Sequence, residues 1–173
     1  MLSVTRILSP FNDFSQVPPD RLAAAATRGT EVHHACAAHA RGLPVFLVEG
    51  QPHFESFKRW FERYVKRVLF VEDDFADTHI YFINGHPDIV CELTDGRIVV
   101  VDYKTPVAES RLWRSQISCY CYLVAPVLGC MPEGMALMLN GKGKAAKGKL
   151  YQYQAEDFAC FLAALTCYRA FKE

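Results

Sequence analysis

The sequence lacks net charge, a signal pattern and any long apolar run. Nineteen basic and nineteen acidic residues cancel, so the whole molecule does not attract polyanions over long distances, and contacts with phosphate groups must come from local patches. No charged segment followed by an apolar one stands at the N-terminus, and the longest apolar stretch, residues 119–128, is too short and too interrupted to span a bilayer. These absences exclude membrane-spanning proteins and predict a cytoplasmic protein.

Internal repeats and flexible linkers are also absent from the sequence. A chain of 173 residues with 51% hydrophobic content can bury one sizeable core, so we predict a single domain over residues 1–173. Cysteine occurs seven times. Because this number is odd and no secretory signal is present, reduced thiols are expected rather than a disulfide framework.

The order of hydrophobic patterns predicts an α/β fold. Helices are expected over residues 18–41, 54–69, 109–128 and 156–171, and strands over residues 70–75, 80–83, 87–93, 98–103, 135–139 and 150–154. The three valines from Val99 to Val101 lack polar alternation, which is typical of a central strand covered on both faces. The pattern therefore places residues 98–103 in the middle of a sheet.

Two carboxylates and a lysine stand on two adjoining apolar strands. Asp88 opens one strand, and Asp102 and Lys104 close the next. Because side chains alternate along a strand, Asp102 and Lys104 share one face while Tyr103 points to the other. Acids and an ammonium group at a strand end can bind a divalent cation and position the water that it activates. Lys104 could alternatively be the simple ion-pair partner of Asp102.

The turn between these strands decides whether the two acids can meet. A two-residue turn at Asp95 and Gly96 would place Asp88 and Asp102 on opposite faces. A three-residue loop with Gly96 in the left-handed conformation would instead pair Leu93 with Arg97 and set Asp88 opposite Asp102, as would a bulge along either strand. We predict the three-residue loop or a bulge.

These segments resemble the PD-(D/E)XK nuclease superfamily, and within it the RecB-like exonuclease branch. Residues 85–88 match the Gly-x-x-Asp strand of that branch and residues 102–105 its Asp-Tyr-Lys-Thr strand. Gln116 and Tyr120 match the Gln-x-x-x-Tyr helix, and residues 28–33 match the Arg-Gly-Thr-x-x-His helix. Four motifs in the right order, over about residues 28–122, carry the resemblance.

The resemblance implies a restriction-endonuclease-like core, with a central mixed β-sheet flanked by α-helices. It implies an exonuclease that hydrolyses DNA with one or two Mg²⁺ or Mn²⁺ ions. The implied ligands are His33, Asp88, Asp102 and the backbone carbonyl of Tyr103. Lys104 would position the attacking water, and Gln116 and Tyr120 would support the site and contact the DNA strand.

One ambiguity concerns the histidine. His33 and His34 are separated by about 100° of helix, so only one can face the site. Spacing alone leaves the choice open, and the motif match favours His33. Glu72 is a possible additional ligand. An iron–sulfur cluster, which some relatives carry, is not expected, because Cys119, Cys121 and Cys130 do not fit the usual spacing.

Local basic groups are the candidates for DNA contacts. Arg111 and Arg114 open the glutamine-containing helix close to the site, where guanidinium groups could bind a phosphate. Lys142 and Lys144 belong to a glycine- and lysine-rich loop, which could bind phosphate or simply be a soluble hairpin end.

The expected function is that of a stand-alone or phage-type exonuclease, encoded by a bacterium or phage, in recombination, repair or phage DNA processing. Its expected partners are linear duplex or single-stranded DNA, with a single-strand-annealing or helicase partner or a second copy of the chain as further possibilities. The alternative is a non-catalytic nucleic-acid-binding or assembly module on the same fold.

Overall fold

The computed structural model describes residues 1–47, 50–105 and 109–172. In this part of the chain the elements are, in order, β1 (Leu2–Ser3), α1 (Val4–Leu8), a 3-10 helix (Ser9–Phe11), α2 (Pro19–Ala40), α3 (Gln51–Tyr64), β2 (Val65–Val71), β3 (Phe75–Asp77), β4 (Ile83–Gly85), β5 (Ile89–Leu93), β6 (Ile98–Lys104), α4 (Leu112–Leu128), β7 (Glu133–Met138), β8 (Lys147–Tyr151) and α5 (Ala155–Lys172).

A five-stranded mixed sheet forms the centre of the fold. Its strand order is β2, β5, β6, β7, β8, so β6 is the middle strand. β6 runs antiparallel to β5 and parallel to β7. The predicted α/β class and the central position of residues 98–103 are confirmed. A smaller sheet, in the order β1, β4, β3, lies beside it.

Helices cover both faces of the central sheet. On one face, Val32 of α2 and Phe57 of α3 pack with Val99, Val101 and Tyr103. On the other face, residues of α4 and α5 pack with Val90 and Val100. The valines of β6 are fully buried, and each such burial stabilises the fold by about 1.5–3 kcal/mol. The sheet is therefore fixed on both sides, and polar side chains can gather only at its ends.

The boundary between α3 and β2 differs from the prediction. The helix expected to reach residue 69 ends at Tyr64, and Val65–Val71 is a strand paired with β5. Spacings of three and four between apolar residues continue past Tyr64, but pairing with β5 outweighs them because β-branched valines pack well in a sheet. The N-terminal elements β1 and α1, which were not predicted, have too few residues to show a periodicity.

A single carboxylate organises the loop between β3 and β4. Asp77 accepts hydrogen bonds from the backbone N–H groups of His79, Ile80 and Tyr81, at 2.9, 2.8 and 3.1 Å, and from the hydroxyl of Tyr122 at 2.9 Å. Burial raises the pKa of Asp77, but the four donors outweigh it and lower the pKa to about 2. The ionised form is therefore favoured in the folded state.

Because the pKa of Asp77 is lowered in the folded state, the free energy of unfolding should depend on pH. A folded-state pKa below the unfolded value contributes stability above pH ~4 that is lost as the pH falls toward ~2. We expect Asp77→Asn to lower the free energy of unfolding by about 1 kcal/mol at pH 6, a figure that allows for solvent screening. Urea unfolding of both proteins between pH 6 and pH 3 should show this difference shrinking. A difference that does not change with pH would contradict the assignment.

Candidate active site

The hairpin of β5 and β6 has the register that the metal-site hypothesis requires. Leu93 N–H donates to the carbonyl of Arg97 at 2.8 Å, and Gly96 has a φ of +88°, in the left-handed region. Ile89 then pairs with Val101, and continuing this register sets Asp88 opposite Asp102. The predicted three-residue loop is confirmed, and it brings Asp88 to the end of β6 that carries Asp102 and Lys104.

The carboxylate of Asp88 joins a helix to the central strand. One oxygen lies 2.8 Å from Nδ1 of His33 on α2, and the other accepts the backbone N–H of Tyr103. His34, in contrast, is exposed. The structure therefore brings His33 rather than His34 to the site. Because the N–H and C=O of one residue point to the same edge of an extended strand, the carbonyl of Tyr103 also projects toward Asp88.

Three neighbours surround the ammonium group of Lys104. It forms an ion pair with Asp102, donates to Oε1 of Gln116 at 2.9 Å and lies 5.5 Å from the ring centroid of Trp113. Gln116 in turn donates from Nε2 to the hydroxyl of Tyr120 at 3.1 Å. Tyr120 is only 2% exposed, so in this structure its ring is buried behind Gln116.

The sequence did not identify Trp113 as a neighbour of Lys104. Its spacing from Gln116 could have indicated this contact. Trp113 precedes Gln116 by three residues, and residues three apart on a helix share a face. Its burial, to 6% exposure, and its distance from the ammonium group fit a cation–π contact.

Burial and charge together set the protonation of this cluster. Burial raises the pKa of Asp102, Lys104 opposes that rise, and the charge of Asp88 adds to it, so the pKa of Asp102 is above its usual value. Burial lowers the pKa of His33, but the charge and the hydrogen bond of Asp88 outweigh it, so the pKa of His33 is raised. Two acids are thus held close together with one lysine and one histidine.

Gly85 explains how the Gly-x-x-Asp strand meets the Gln-x-x-x-Tyr helix. A Cβ at this position would lie 2.7 Å from Cε1 of Tyr120 and 3.2 Å from Cδ1 of Leu123. Only glycine lets β4 pass beneath the ring of Tyr120. The close approach places the segment that leads to Asp88 directly against the helix that holds Lys104 in position.

This contact predicts the effect of one added methyl group. We expect Gly85→Ala to lower the free energy of unfolding by about 1–3 kcal/mol, because the buried ring and backbone cannot both move aside. Gly29→Ala is the matched control: its Cβ would meet only Oγ1 of Thr105, at 3.9 Å. In helix α2 that change should stabilise by up to about 1 kcal/mol. Urea unfolding that finds equal effects would refute the contact.

The predicted DNA-contacting residues differ in whether they already have a side-chain partner. Arg114 pairs with Asp157 of α5 at 2.9 Å and lies over the ring of Tyr151, so α5 already occupies its guanidinium group. Arg111, Lys142 and Lys144 are exposed, and none has a side-chain partner within the described residues.

Glu72 and His39 lie at the border of the site. Glu72, the possible additional ligand, lies 3.7 Å from Arg41, and its backbone N–H donates to the carbonyl of Asp88 at 3.2 Å. Its backbone thus supports Asp88, while its carboxylate lies near Arg41. His39, which the sequence did not single out as a site residue, lies edge-on against the rings of Phe54 and Phe61, and burial lowers its pKa.

Residues 6–168 match the sequence model of the PD-(D/E)XK nuclease superfamily. The chain belongs to this superfamily. Its mixed sheet with flanking helices is the restriction-endonuclease-like core expected of a member. PD-(D/E)XK proteins are typically nucleases acting on DNA, and they generally use divalent metal ions such as Mg²⁺.

Other comparisons are less informative. A solved structure, "Crystal structure of SSO0001", aligns with 65% of this chain and 50% of its own, at 16% identity and a TM-score of 0.38. The chain thus spans about half the length of that protein. No curated protein sequence matches the chain significantly. Across residues 1–47, 50–105 and 109–172, no helix has both the length and the apolar character needed to cross a bilayer.

The chemistry of Asp88 and Asp102 fits a divalent cation, although each carboxylate is paired with a basic side chain in this structure. Asp88 and Asp102 are 7% and 5% exposed, and Oδ2 of Asp102 accepts no hydrogen bond of normal geometry even though Lys104 lies against it. Buried carboxylate oxygens that repel each other suit a hard cation. Among the described residues, however, no three His, Cys, Asp or Glu side chains already form a metal site. In this structure the two carboxylates are paired with His33 and Lys104.

Proposed function

We propose that this PD-(D/E)XK protein is a metal-dependent deoxyribonuclease of the RecB-like branch, and that it acts as an exonuclease. The single observation that carries the proposal is the placement of Asp88 and Asp102 opposite each other, with Lys104 beside them. The branch is supported by the four ordered motifs, whose residues meet at one end of the sheet. His33 contacts Asp88, and Gln116 contacts Lys104.

Each side chain has a distinct task in the proposed reaction. The carboxylates of Asp88 and Asp102 would hold Mg²⁺ or Mn²⁺, with the imidazole of His33 and the carbonyl of Tyr103 as further ligands. One or two bound ions would activate water and stabilise the charge on the phosphate oxygens. Lys104 would orient the attacking water or donate to the phosphate, because an ammonium group stabilises charge that develops in the transition state.

The supporting contacts keep the amine in place for this role. Gln116 accepts one N–H of Lys104 and is itself fixed by donating to Tyr120. The ring of Trp113 lies on another side of the ammonium group. A lysine side chain loses much rotamer freedom when it is held, so these contacts remove that cost before the substrate binds.

DNA would reach the site along exposed basic side chains. Arg111 stands at the start of α4, close to Gln116, and Lys142 and Lys144 lie in the loop between β7 and β8. We propose that they contact the sugar–phosphate backbone without reading sequence, as most phosphate contacts do. Arg114 would contact the DNA backbone only after its ion pair with Asp157 breaks. The protein partner would be a single-strand-annealing protein, a helicase or a second copy of the chain. Residues 1–173 would form one domain.

Digestion of end-labelled DNA tests the proposed function. Purified protein should degrade linear DNA in Mg²⁺ or Mn²⁺, leave it intact in EDTA, and spare closed circles because an exonuclease needs an end. Cleavage of closed circles would overturn the exonuclease assignment and leave the nuclease. No cleavage of linear duplex or single strands with either ion would overturn the nuclease itself.

A non-catalytic DNA-binding module is the alternative, and the closed state of the site is the observation that favours it. Both acids already have partners, His33 and Lys104. Such a module would bind DNA equally well with and without Mg²⁺ and would not cleave it. The same digestion, run beside a binding assay in EDTA, separates the two functions.

A further inference from the structure

A cavity of about 170 Å³ opens beside Lys104. Its walls come from two distant parts of the chain. Thr5, Leu8 and Asn12 line it from the N-terminal segment, and Lys104, Trp113 and Gln116 line it from β6 and α4. None of the N-terminal residues belongs to a motif described above.

The size of this cavity suits one small ring. An apolar cavity of about 150 Å³ holds a benzene molecule, so this one accommodates a single pentose or base ring but not two. Its wall chemistry is mixed, with hydroxyl, amide and ammonium groups beside Leu8 and Trp113. Among the described residues that line it, none is acidic. An anionic ligand can therefore enter without meeting a wall of like charge.

Two solvent-exposed polar side chains, Thr5 and Asn12, line this space. Within the described residues, the amide of Asn12 has no hydrogen-bond partner, and the hydroxyl of Thr5 has only Ser3, at 3.4 Å. An ammonium group carries three donors. Gln116 accepts one of those of Lys104, and the ion pair with Asp102 lacks hydrogen-bond geometry, so donors of Lys104 remain for a ligand.

The position of Trp113 indicates which ring of a nucleotide the cavity would hold. The ammonium group of Lys104 already lies over its indole, 5.5 Å from the ring centroid, so a base cannot stack on that face. The polar edges of Asn12 and Thr5 instead match a ring that carries hydroxyl and ether oxygens. A pentose has these groups, and at the end of a DNA strand it carries a free hydroxyl that internal nucleotides lack.

We propose that this cavity binds the terminal nucleotide of the DNA strand, with Asn12 and Thr5 hydrogen-bonding its pentose and Lys104 meeting its phosphate. The proposal rests on the nuclease function and adds to it a physical basis for recognising strand ends. The N-terminal segment thereby becomes part of the substrate site, although it precedes all four motifs in the sequence.

The test compares Asn12→Ala with Gln16→Ala, which removes an amide from the same segment outside the cavity. Asn12→Ala should lower kcat/KM on linear DNA about five-fold, mainly through KM, because one net hydrogen bond is lost. Adding Thr5→Val should lower it about five-fold again. Titration calorimetry with thymidine 5′-monophosphate and thymidine 3′-monophosphate in Mg²⁺ should show a matching loss of affinity for one of them. Gln16→Ala should change neither quantity.

The outcomes separate this proposal from the nuclease function. If the parent protein cleaves DNA and Asn12→Ala matches Gln16→Ala in kcat/KM and in nucleotide affinity, the cavity assignment is overturned and the nuclease stands. If the parent protein does not cleave DNA, the nuclease function fails, and the titration alone decides the cavity. Weaker nucleotide binding by Asn12→Ala then supports the assignment, and equal or undetectable binding overturns it.

Discussion

Asp102→Asn is expected to lower the rate of DNA cleavage about 10³-fold or more, since it removes a carboxylate that holds the metal ion and its activated water. The fold should survive. The change removes the ion pair with Lys104, but it also relieves the repulsion from Asp88, which helps to raise the pKa of Asp102. The free energy of unfolding in EDTA should therefore change by no more than about 1 kcal/mol.

Asp95→Asn is the matched control for this variant. Asp95 lies at the other end of the same hairpin, is exposed and pairs with Arg97 at 2.6 Å. Its substitution should leave the cleavage rate within about two-fold of the parent, because a surface ion pair contributes little. Rates are measured on end-labelled linear DNA. Parent-level cleavage by Asp102→Asn would remove this acid from the reaction.

Lys104→Met should affect both catalysis and stability. Methionine keeps an unbranched side chain of similar length but removes the positive charge, so cleavage should fall about 10²–10³-fold. Without the ammonium group the buried carboxylate of Asp102 has no opposite charge beside it. Breaking a buried pair in this way costs about 3–5 kcal/mol, and we expect about 2 kcal/mol here because Lys104 is partly exposed.

A double-variant cycle isolates this pair. Adding Asp102→Asn to Lys104→Met should restore most of the lost stability, since the uncompensated charge is then gone. Mn²⁺ should restore stability to Lys104→Met alone, because a bound cation compensates the same charge. Unfolding is measured in EDTA and in Mn²⁺ at one pH. Additive losses in the double variant would show that Asp102 and Lys104 do not interact.

The core of the site could be predicted from the sequence because strand geometry is strict. The alternation of side chains put Asp102 and Lys104 on one face, and Gly96 indicated the loop that sets Asp88 opposite Asp102. Both arguments depend on a few neighbouring residues with fixed backbone geometry. The choice between His33 and His34 could not be made that way, because it depends on how α2 packs against the sheet.

Tertiary contacts account for what the sequence did not reveal. The strand Val65–Val71 has a spacing that also fits a helix, and only its pairing with β5 decides between them. Arg114 was expected near a phosphate, but its partner Asp157 lies 43 residues away along the chain. Asn12 approaches Lys104 across 92 residues, a distance in sequence over which no pattern gives a signal.

Manganese binding tests the central claim most directly, namely that Asp88 and Asp102 together hold a divalent cation. The parent protein and the Asp88→Asn/Asp102→Asn double variant are each titrated with Mn²⁺. The signal of free Mn²⁺ in electron paramagnetic resonance measures how much ion is bound. We predict that the parent binds one or two ions and that the double variant, while still folded, binds none at the same concentrations. Equal binding by the two proteins would contradict the account, because the cation would then lie elsewhere.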